Sequence, residues 1–184
     1  MGGVEALKVV LGRLPKDFSL PIIIVHHTSP DAGSELANLL DAQCAIRVKE
    51  ADEAEQLLPG TAYLAPPNYH VLVERDGTLA LSVDLPVNYA RPSVDVLFES
   101  AADTFGAGLI GVILTGAGSD GSKGLKRIKD RGGCAIIQDP EDAVADPMPR
   151  SARAAVQADH VVPLKELAPL LCVLAGQAND KTGK

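Results

Sequence analysis

A single acidic residue in a glycine-rich stretch is the first group in this sequence that could do chemistry. Asp120 lies in the stretch Gly116–Gly121, directly after the apolar run Leu109–Leu114. Such a run predicts a strand that is covered on both faces. The next segment, 122–131, predicts an amphipathic helix. We therefore expect Asp120 at a strand-to-helix junction, where open α/β sheets place their ligands and their chemistry.

Three interpretations of this loop remain open from its residues alone. Asp120 caps the helix that follows it, or it is the acidic member of a Ser-His-Asp arrangement. Alternatively, the spacing Gly116-x-Gly118-x-x-Gly121 matches a dinucleotide-binding fingerprint, with Asp139 as the ligand of the ribose. The charge of Asp120 argues against the third interpretation, because a pyrophosphate would lie at the same helix terminus.

Two adjacent histidines are the second candidate group. His26 and His27 end the stretch Pro21–His27, which predicts another buried strand. A histidine just beyond such a strand is well placed to act as a general base. The alternative is that one ring is packed in the core and the other is solvated.

The composition limits the classes of partner and compartment. The chain has 184 residues, with 17 Lys and Arg against 24 Asp and Glu, so its net charge is −7. This balance argues against nucleic acid or an anionic membrane as a partner. The three cysteines have no metal-ligand spacing, and no signal peptide or long apolar run is present. We expect a cytoplasmic protein without a metal or other cofactor, which does not insert into membranes.

Predicted helices alternate with predicted buried strands along the chain. We expect one domain over residues 1–178, with a disordered tail at 179–184. The fold class that follows is α/β: three layers, doubly wound, with a mainly parallel sheet and helices on both faces. Asp76-Gly77, between alternating segments at 69–75 and 78–83, predicts an antiparallel hairpin at one edge of the sheet.

Four segments, in this order and spacing, resemble the catalytic domain of the chemotaxis protein-glutamate methylesterases (CheB-type). They are Leu64–Pro67, Arg91–Phe98, Leu114–Gly121 and Met148–Ala152. The resemblance covers nearly the whole chain. It implies hydrolysis of glutamate methyl esters on chemoreceptors, with release of methanol, and deamidation of receptor glutamines. The partners it implies are the cytoplasmic domains of methylated chemoreceptors and a response-regulator receiver domain acting in trans.

The resemblance also assigns roles to individual residues. His27 matches the family's catalytic histidine, with His26 in the preceding position, and Asp120 matches the catalytic aspartate. Ala117 stands where the family often has a methionine that donates an oxyanion-hole amide. Arg150 is a further candidate for lining the site.

The family's serine nucleophile has no counterpart within the chain. Gly2 and Gly3 match the two glycines of the nucleophile turn, and Met1 falls one position after the serine. The serine and the strand before it would precede residue 1. We expect backbone amides near Met1 and Gly2 to belong to the oxyanion hole. Ser19, Ser29 and Ser119 remain as substitute nucleophiles. Ser119 adjoins Asp120 but lies in the wrong loop, and Ser29 lies outside the residues that the structure describes. As written, the chain is expected to be an impaired esterase. The alternative from another class is an inactive module that binds a receptor or a signalling partner.

In the family, the strand before the serine lies beside the strands that carry the histidine and the aspartate. A chain without it should therefore have an unpaired sheet edge next to His27 and Asp120.

Overall fold

The computed structural model describes residues 2–27 and 35–182, in which helices and strands alternate. The helices are α1 Gly3–Leu11, α2 Glu35–Asp41, α3 Val94–Phe105, α4 Ser122–Asp130, α5 Pro147–Ala155 and α6 Leu164–Thr182, with a 3₁₀ turn at Gly106–Gly108. The strands are β1 Ile22–Ile24, β2 Arg47–Glu50, β3 Thr61–Leu64, β4 His70–Val73, β5 Leu79–Ser82, β6 Ile110–Ile113, β7 Cys134–Gln138 and β8 His160–Val162.

The strands form two parallel sheets and one hairpin. The parallel sheets have three strands each, in the orders β1-β3-β2 and β6-β7-β8. The hairpin pairs β4 with β5 in antiparallel register around Asp76-Gly77, as the sequence predicts. The expectation that it forms an edge of the parallel sheet is wrong, because among the described strands β4 and β5 pair only with each other. Among the described residues, β1 pairs only with β3 and β6 pairs only with β7. The parallel strands thus form two separate sheets. β1, at the edge of one sheet, precedes the predicted site residue His27, and β6, at the edge of the other, precedes Asp120. We call these two edges the inner edges.

Helices cover both faces of the parallel strands. One core cluster joins α1, α2 and α6 to strands of both sheets, and it includes Leu11, Leu40 and Leu167. A second cluster joins α3, α4 and α5 to β6 and β7. Ile136 of β7 packs in the first cluster and Ile137 in the second, which is the alternation expected of a strand covered on both faces. The predicted α/β class, with helices on both faces, is confirmed.

Several element boundaries differ from the predicted ones. The strand expected at 21–27 ends at Ile24. Val25 to His27 follow it outside the strand. The last helix runs from Leu164 to Thr182, and the domain boundary at residue 178 stays a prediction. Within the described ranges, no helix combines the length and the apolarity that a bilayer crossing requires.

Gly111, which interrupts the apolar run of β6, makes room for helix α4. A Cβ added there would lie 2.5 Å from Ile128 Cδ1 and 2.9 Å from Leu125 Cδ1, and both of these side chains are fully buried. We expect Gly111→Ala to reduce the free energy of unfolding by about 1–3 kcal/mol, since the methyl group overpacks the core. Urea unfolding measures the change. Gly108→Ala is the matched control, because its added Cβ has no neighbour within 4 Å; equal losses in the two variants would contradict the packing argument.

Candidate active site

His27 and Asp120 meet beyond the ends of the two inner strands. His27 Nε2 lies 3.1 Å from Asp120 Oδ2, and the side chains are 35% and 6% exposed, respectively. Both residues line a pocket of about 320 Å³. Its other lining residues are Asn88, Tyr89, Ala90, Ala117, Gly118 and Ser119. Sequence reasoning placed each residue at the end of a strand, and the structure shows that they share one hydrogen bond and one cavity.

Asp120 caps a helix, but not the helix that follows it in the sequence. Its Oδ2 accepts a hydrogen bond from the Val94 amide at 2.7 Å, and its Oδ1 accepts bonds from the Asp95 amide at 3.1 Å and the Ser93 hydroxyl at 2.8 Å. These donors form the amino terminus of α3, where an anion is stabilised by free amides and by the helix dipole. The capping and catalytic interpretations are therefore compatible, since one carboxylate holds both α3 and His27.

This environment keeps Asp120 ionised. Burial alone would raise the pKa of the carboxyl, but hydrogen bonds from His27, the Val94 and Asp95 amides and Ser93 outweigh burial, so the pKa lies below its ordinary value. An ionised carboxylate at 3.1 Å fixes the imidazole by accepting the Nε2 proton. The other ring nitrogen, Nδ1, is then the one that can take a proton from a reacting group.

A second buried carboxylate, Asp95, lies directly behind this site. It is 3% exposed, and its Oδ1 accepts a hydrogen bond from the Gly124 amide at 2.8 Å, in the first turn of α4. Burial, and then the charge of Asp120, raise the pKa of Asp95 against the opposing effect of that amide. Because Asp95 occupies the amino terminus of α4, a phosphate group would meet a carboxylate there. This contact argues against the dinucleotide interpretation of Gly116–Gly121.

The loop that carries Ala117 is held by two neighbouring segments. The Thr115 amide donates to Gln138 Oε1 at 2.8 Å, and the Gly116 amide donates to the Ala145 carbonyl at 2.9 Å. Met148 packs so closely on Gly116 that an added Cβ would lie 2.2 Å from its sulfur. Ala117 consequently lies at the pocket wall, where the sequence predicts an oxyanion-hole donor.

Gly2 and His26, two further predicted site residues, are not among the residues that line the pocket. Gly3, at the start of α1, faces His26, whose Nε2 would be 2.9 Å from an added Cβ. The amino terminus of α1, with Gly2 as its N-cap residue, thus lies beside the histidine pair. His26 Nδ1 is buried and has no partner among the described residues, and burial, followed by the charge of His27, lowers the pKa of His26. Met1 lies outside the described residues.

Arg150 makes surface ion pairs with Glu141, at 2.8 Å, and with Asp146. Its side chain is 56% exposed, and it is not among the residues that line the pocket holding His27. The role proposed for it from the sequence stays a prediction.

Sequence reasoning missed Asn88, Tyr89 and Ser93. Ser93 precedes α3, and its hydroxyl donates a hydrogen bond to Asp120, 27 residues further along the chain. Asn88 and Tyr89 lie in a segment with no strand or helix periodicity, and both adopt positive φ, at 49° and 64°. Nothing in the local sequence placed that turn over the pocket.

Asp120→Asn should change the pH dependence of stability as well as its level. The folded-state pKa of Asp120 lies below the ordinary 3.8, so its stabilising contribution is present above pH 3.8 and is lost as the pH falls through the lowered value. We expect the wild type to be more stable than Asp120→Asn by about 1–3 kcal/mol at pH 7, with the gap closing below pH 3.8.

Urea unfolding of both proteins from pH 7 to pH 2.5 checks this expectation. Asp130→Asn is the control, since Asp130 is 57% exposed in an ion pair with Lys126 and should change stability by less than about 1 kcal/mol. A gap between the wild type and Asp120→Asn that stays constant down to pH 2.5 would contradict an ionised, stabilising Asp120.

A family model described as "CheB methylesterase" matches residues 1–171. Among solved structures, the catalytic domain of the Thermotoga maritima CheB methylesterase superposes with a TM-score of 0.90 at 36% identity. The superposition covers 94% of this chain and 93% of that one. The overall arrangement of strands and helices described above is therefore also found in a solved structure.

Curated relatives carry consistent names. A Leptospira interrogans protein, 48% identical over 169 residues, covers 92% of this chain and 88% of its own length, and is named for protein-glutamate methylesterase and protein-glutamine glutaminase activities. The Bordetella bronchiseptica protein-glutamate methylesterase/protein-glutamine glutaminase is 44% identical over 184 residues. This chain spans about half, 52%, of that second relative.

Proposed function

The chain belongs to the CheB methylesterase family, and we propose that its activity is the hydrolysis of glutamate methyl esters, and of glutamine amides, on chemoreceptors. The observation that carries the proposal is the hydrogen bond between His27 and the ionised Asp120 at the wall of an open pocket. Within the described residues, no group of three or more His, Cys, Asp or Glu side chains could hold a metal ion. The proposal rests on covalent and acid–base catalysis, for which the pair supplies a base and a carboxylate that orients it.

We propose a serine nucleophile in the turn that the resemblance places immediately before residue 1. Its hydroxyl attacks the ester carbonyl while His27 Nδ1 takes the hydroxyl proton. The imidazolium then gives that proton to the departing methoxide, and methanol leaves. Water, activated in the same way, hydrolyses the acyl-enzyme to glutamate and regenerates the serine. With a glutamine substrate, ammonia leaves in the first step.

Asp120 orients the base and stabilises its charged form. Its low pKa keeps the carboxylate negative when His27 becomes an imidazolium, so the ion pair strengthens as the reaction proceeds. The Ser93 hydroxyl and the α3 amides fix the carboxylate in one orientation. The amino terminus of α3 thus acts as a positioning element for the reaction.

The developing oxyanion is proposed to bind backbone amides at Ala117 and at the amino terminus of α1. Ala117 lines the pocket, and α1 begins beside His26, so donors can approach from two sides. A backbone donor does not depend on the side chain, which explains why alanine is acceptable at position 117. Each such donor contributes about 3 kcal/mol to transition-state stabilisation.

The substrate class is tested by methanol release from a methylated chemoreceptor cytoplasmic fragment. The enzyme is the chain with Met1 replaced by a strand followed by Gly-Ala-Ser-Ala, so that the serine precedes Gly2 by two positions. We expect methanol from the methylated fragment, none from an unmethylated one, and ammonia from a fragment with glutamine at the modified positions. Absence of both products, with an enzyme that still hydrolyses a small activated ester, would contradict the substrate assignment.

A non-catalytic binding role is the second candidate. It is favoured by one observation: the pocket wall has Ser119 as its only serine among the described residues, and that serine belongs to the loop of Asp120. In this case, the polypeptide beginning at Met1 binds a chemoreceptor fragment, or a receiver domain, without turning it over. We place either activity in the cytoplasm, where the receptor fragments are accessible.

A further inference from the structure

The segment 83–90, here called the rim segment, crosses the mouth of the active-site pocket. Three of its members, Asn88, Tyr89 and Ala90, line the pocket together with His27 and Asp120. The segment also carries three large apolar side chains that face solvent. Val83 is 66% exposed, Leu85 85% and Tyr89 fully exposed. An apolar surface of this kind, continuous with a reactive pocket, indicates a binding site.

The backbone of the rim segment is held in place from the protein side. Arg91 Nη1 donates to the Val83 carbonyl at 2.6 Å and to the Asp84 carbonyl at 2.9 Å. His70, which is 1% exposed, accepts the Ser93 amide on Nδ1, so its Nε2 carries the proton and donates to the Leu85 carbonyl at 3.2 Å. Three carbonyl oxygens of the rim segment therefore accept hydrogen bonds from the body of the protein. The side chains of Val83, Leu85 and Tyr89 are exposed to solvent.

The tip of the rim segment is a tight turn with an unusual backbone. Val87 and Ala90 exchange two hydrogen bonds, at 3.0 and 2.9 Å, around Asn88 and Tyr89. Both central residues have positive φ, which is uncommon for a tyrosine and tends to occur at functional sites. Asn88 Nδ2 donates to Asp95 Oδ2 at 3.2 Å, which ties the turn to the carboxylate behind the catalytic pair. The turn holds Tyr89 at the pocket mouth, where no side chain of residues 2–27 or 35–177 covers it.

We propose that the rim segment is the docking surface for the polypeptide that carries the reacting ester or amide, and that Tyr89 determines the preference for polypeptide over small substrates. The inference rests on the proposed function and identifies how that substrate is held. A glutamate side chain is short, so the backbone bearing it must pass close to the pocket mouth, and its apolar neighbours then contact Tyr89 and Leu85. A rigid tyrosine offers a large contact area at little cost in side-chain entropy.

The kinetic test compares a receptor with a small ester. We call the chain in which a strand and Gly-Ala-Ser-Ala replace Met1 the serine-containing chain. In it, Tyr89→Ala is expected to lower kcat/KM for the methylated receptor fragment by about tenfold or more, chiefly by raising KM. For p-nitrophenyl acetate, which has no flanking polypeptide, the loss should be at least about fivefold smaller than the loss on the receptor fragment. Tyr89→Phe should retain most of the receptor activity, since it keeps the ring. Val173→Ala, at a 58% exposed position on α6, is the matched control.

A binding measurement separates this inference from the proposed chemistry. The polypeptide 1–184 is titrated into a fluorescently labelled receptor fragment, and anisotropy gives Kd without any turnover. Weaker binding by Tyr89→Ala, by about tenfold, supports the docking surface even where no ester is cleaved. Undetectable binding by the wild type, equal Kd values for wild type and Tyr89→Ala, or equal kinetic losses on both substrates would overturn it. The last outcome would mean that Tyr89 supports the pocket itself.

Discussion

Replacing Met1 by a strand and the turn Gly-Ala-Ser-Ala is expected to raise kcat for a methylated receptor fragment by about 10⁴–10⁶-fold over the polypeptide that begins at Met1. The reason is chemical: the proposed nucleophile is the hydroxyl of the added serine, and without it His27 is expected to do no more than activate water, so that no acyl-enzyme forms. Serine and histidine act as a unit in triad enzymes, so the loss of the nucleophile removes most of their joint contribution. Methanol release under single-turnover conditions measures the difference.

The control for this extension is the same strand followed by Gly-Ala-Ala-Ala. It supplies any pairing that the strand makes with the free edges of β1 and β6 but no nucleophile, so it should stay at the rate of the polypeptide 1–184. Ser119→Ala, made in that polypeptide, asks whether the pocket's own serine accounts for residual activity. Equal rates for the serine and alanine extensions would contradict the assigned nucleophile, and loss of all activity on Ser119→Ala would transfer that role to Ser119.

The serine and alanine extensions also distinguish an effect on stability from an effect on turnover. β1 and β6 each pair on one side only in the described residues, and unpaired inner strands leave backbone donors and acceptors to water. Either extension should therefore raise the free energy of unfolding alike, while only the serine version raises turnover. A rate that followed stability across both extensions would indicate that strand pairing, and not the hydroxyl, limits activity.

The position of Asp120 could be predicted from the sequence, but its partners could not. An apolar run followed by Gly116–Gly121 and an amphipathic helix is a local pattern, and it places the carboxylate at a strand-to-helix junction. That the carboxylate caps α3 depends on the packing of α3 against α4, which brings residues far apart in sequence together. Helix-cap rules look only at the residues next to each helix, so they assigned Asp120 to α4.

The hairpin and the rim segment show the same limit. Asp76-Gly77 between alternating segments specifies its own pairing, and the structure has that hairpin. The rim segment has no such local signal, because Arg91, His70 and Asp95 hold it from other elements. Tyr89 adopts positive φ owing to those contacts and not to any preference of tyrosine, so the pocket mouth was not predictable from the local sequence.

His27→Ala in the serine-containing chain is expected to lower kcat by about 10⁴–10⁶-fold, with little change in receptor binding. In the proposed mechanism the ring joins the nucleophile to Asp120, and because the ring is 35% exposed, its removal should cost little stability. His160→Ala is the control: His160 lies at the start of β8, at the opposite end of the strand from the site. A loss below about tenfold would contradict the role of His27 as general base.

Asp120→Asn tests the second half of the pair. It should lower kcat by about 10⁴-fold, because an asparagine amide favours the wrong imidazole tautomer and cannot stabilise the imidazolium. The double variant His27→Ala/Asp120→Asn is then the decisive comparison. If Asp120 acts through His27, the double variant is no slower than His27→Ala, since the carboxylate has no base left to orient. Multiplicative losses would mean that Asp120 supports catalysis through the amino terminus of α3 instead, independently of the histidine.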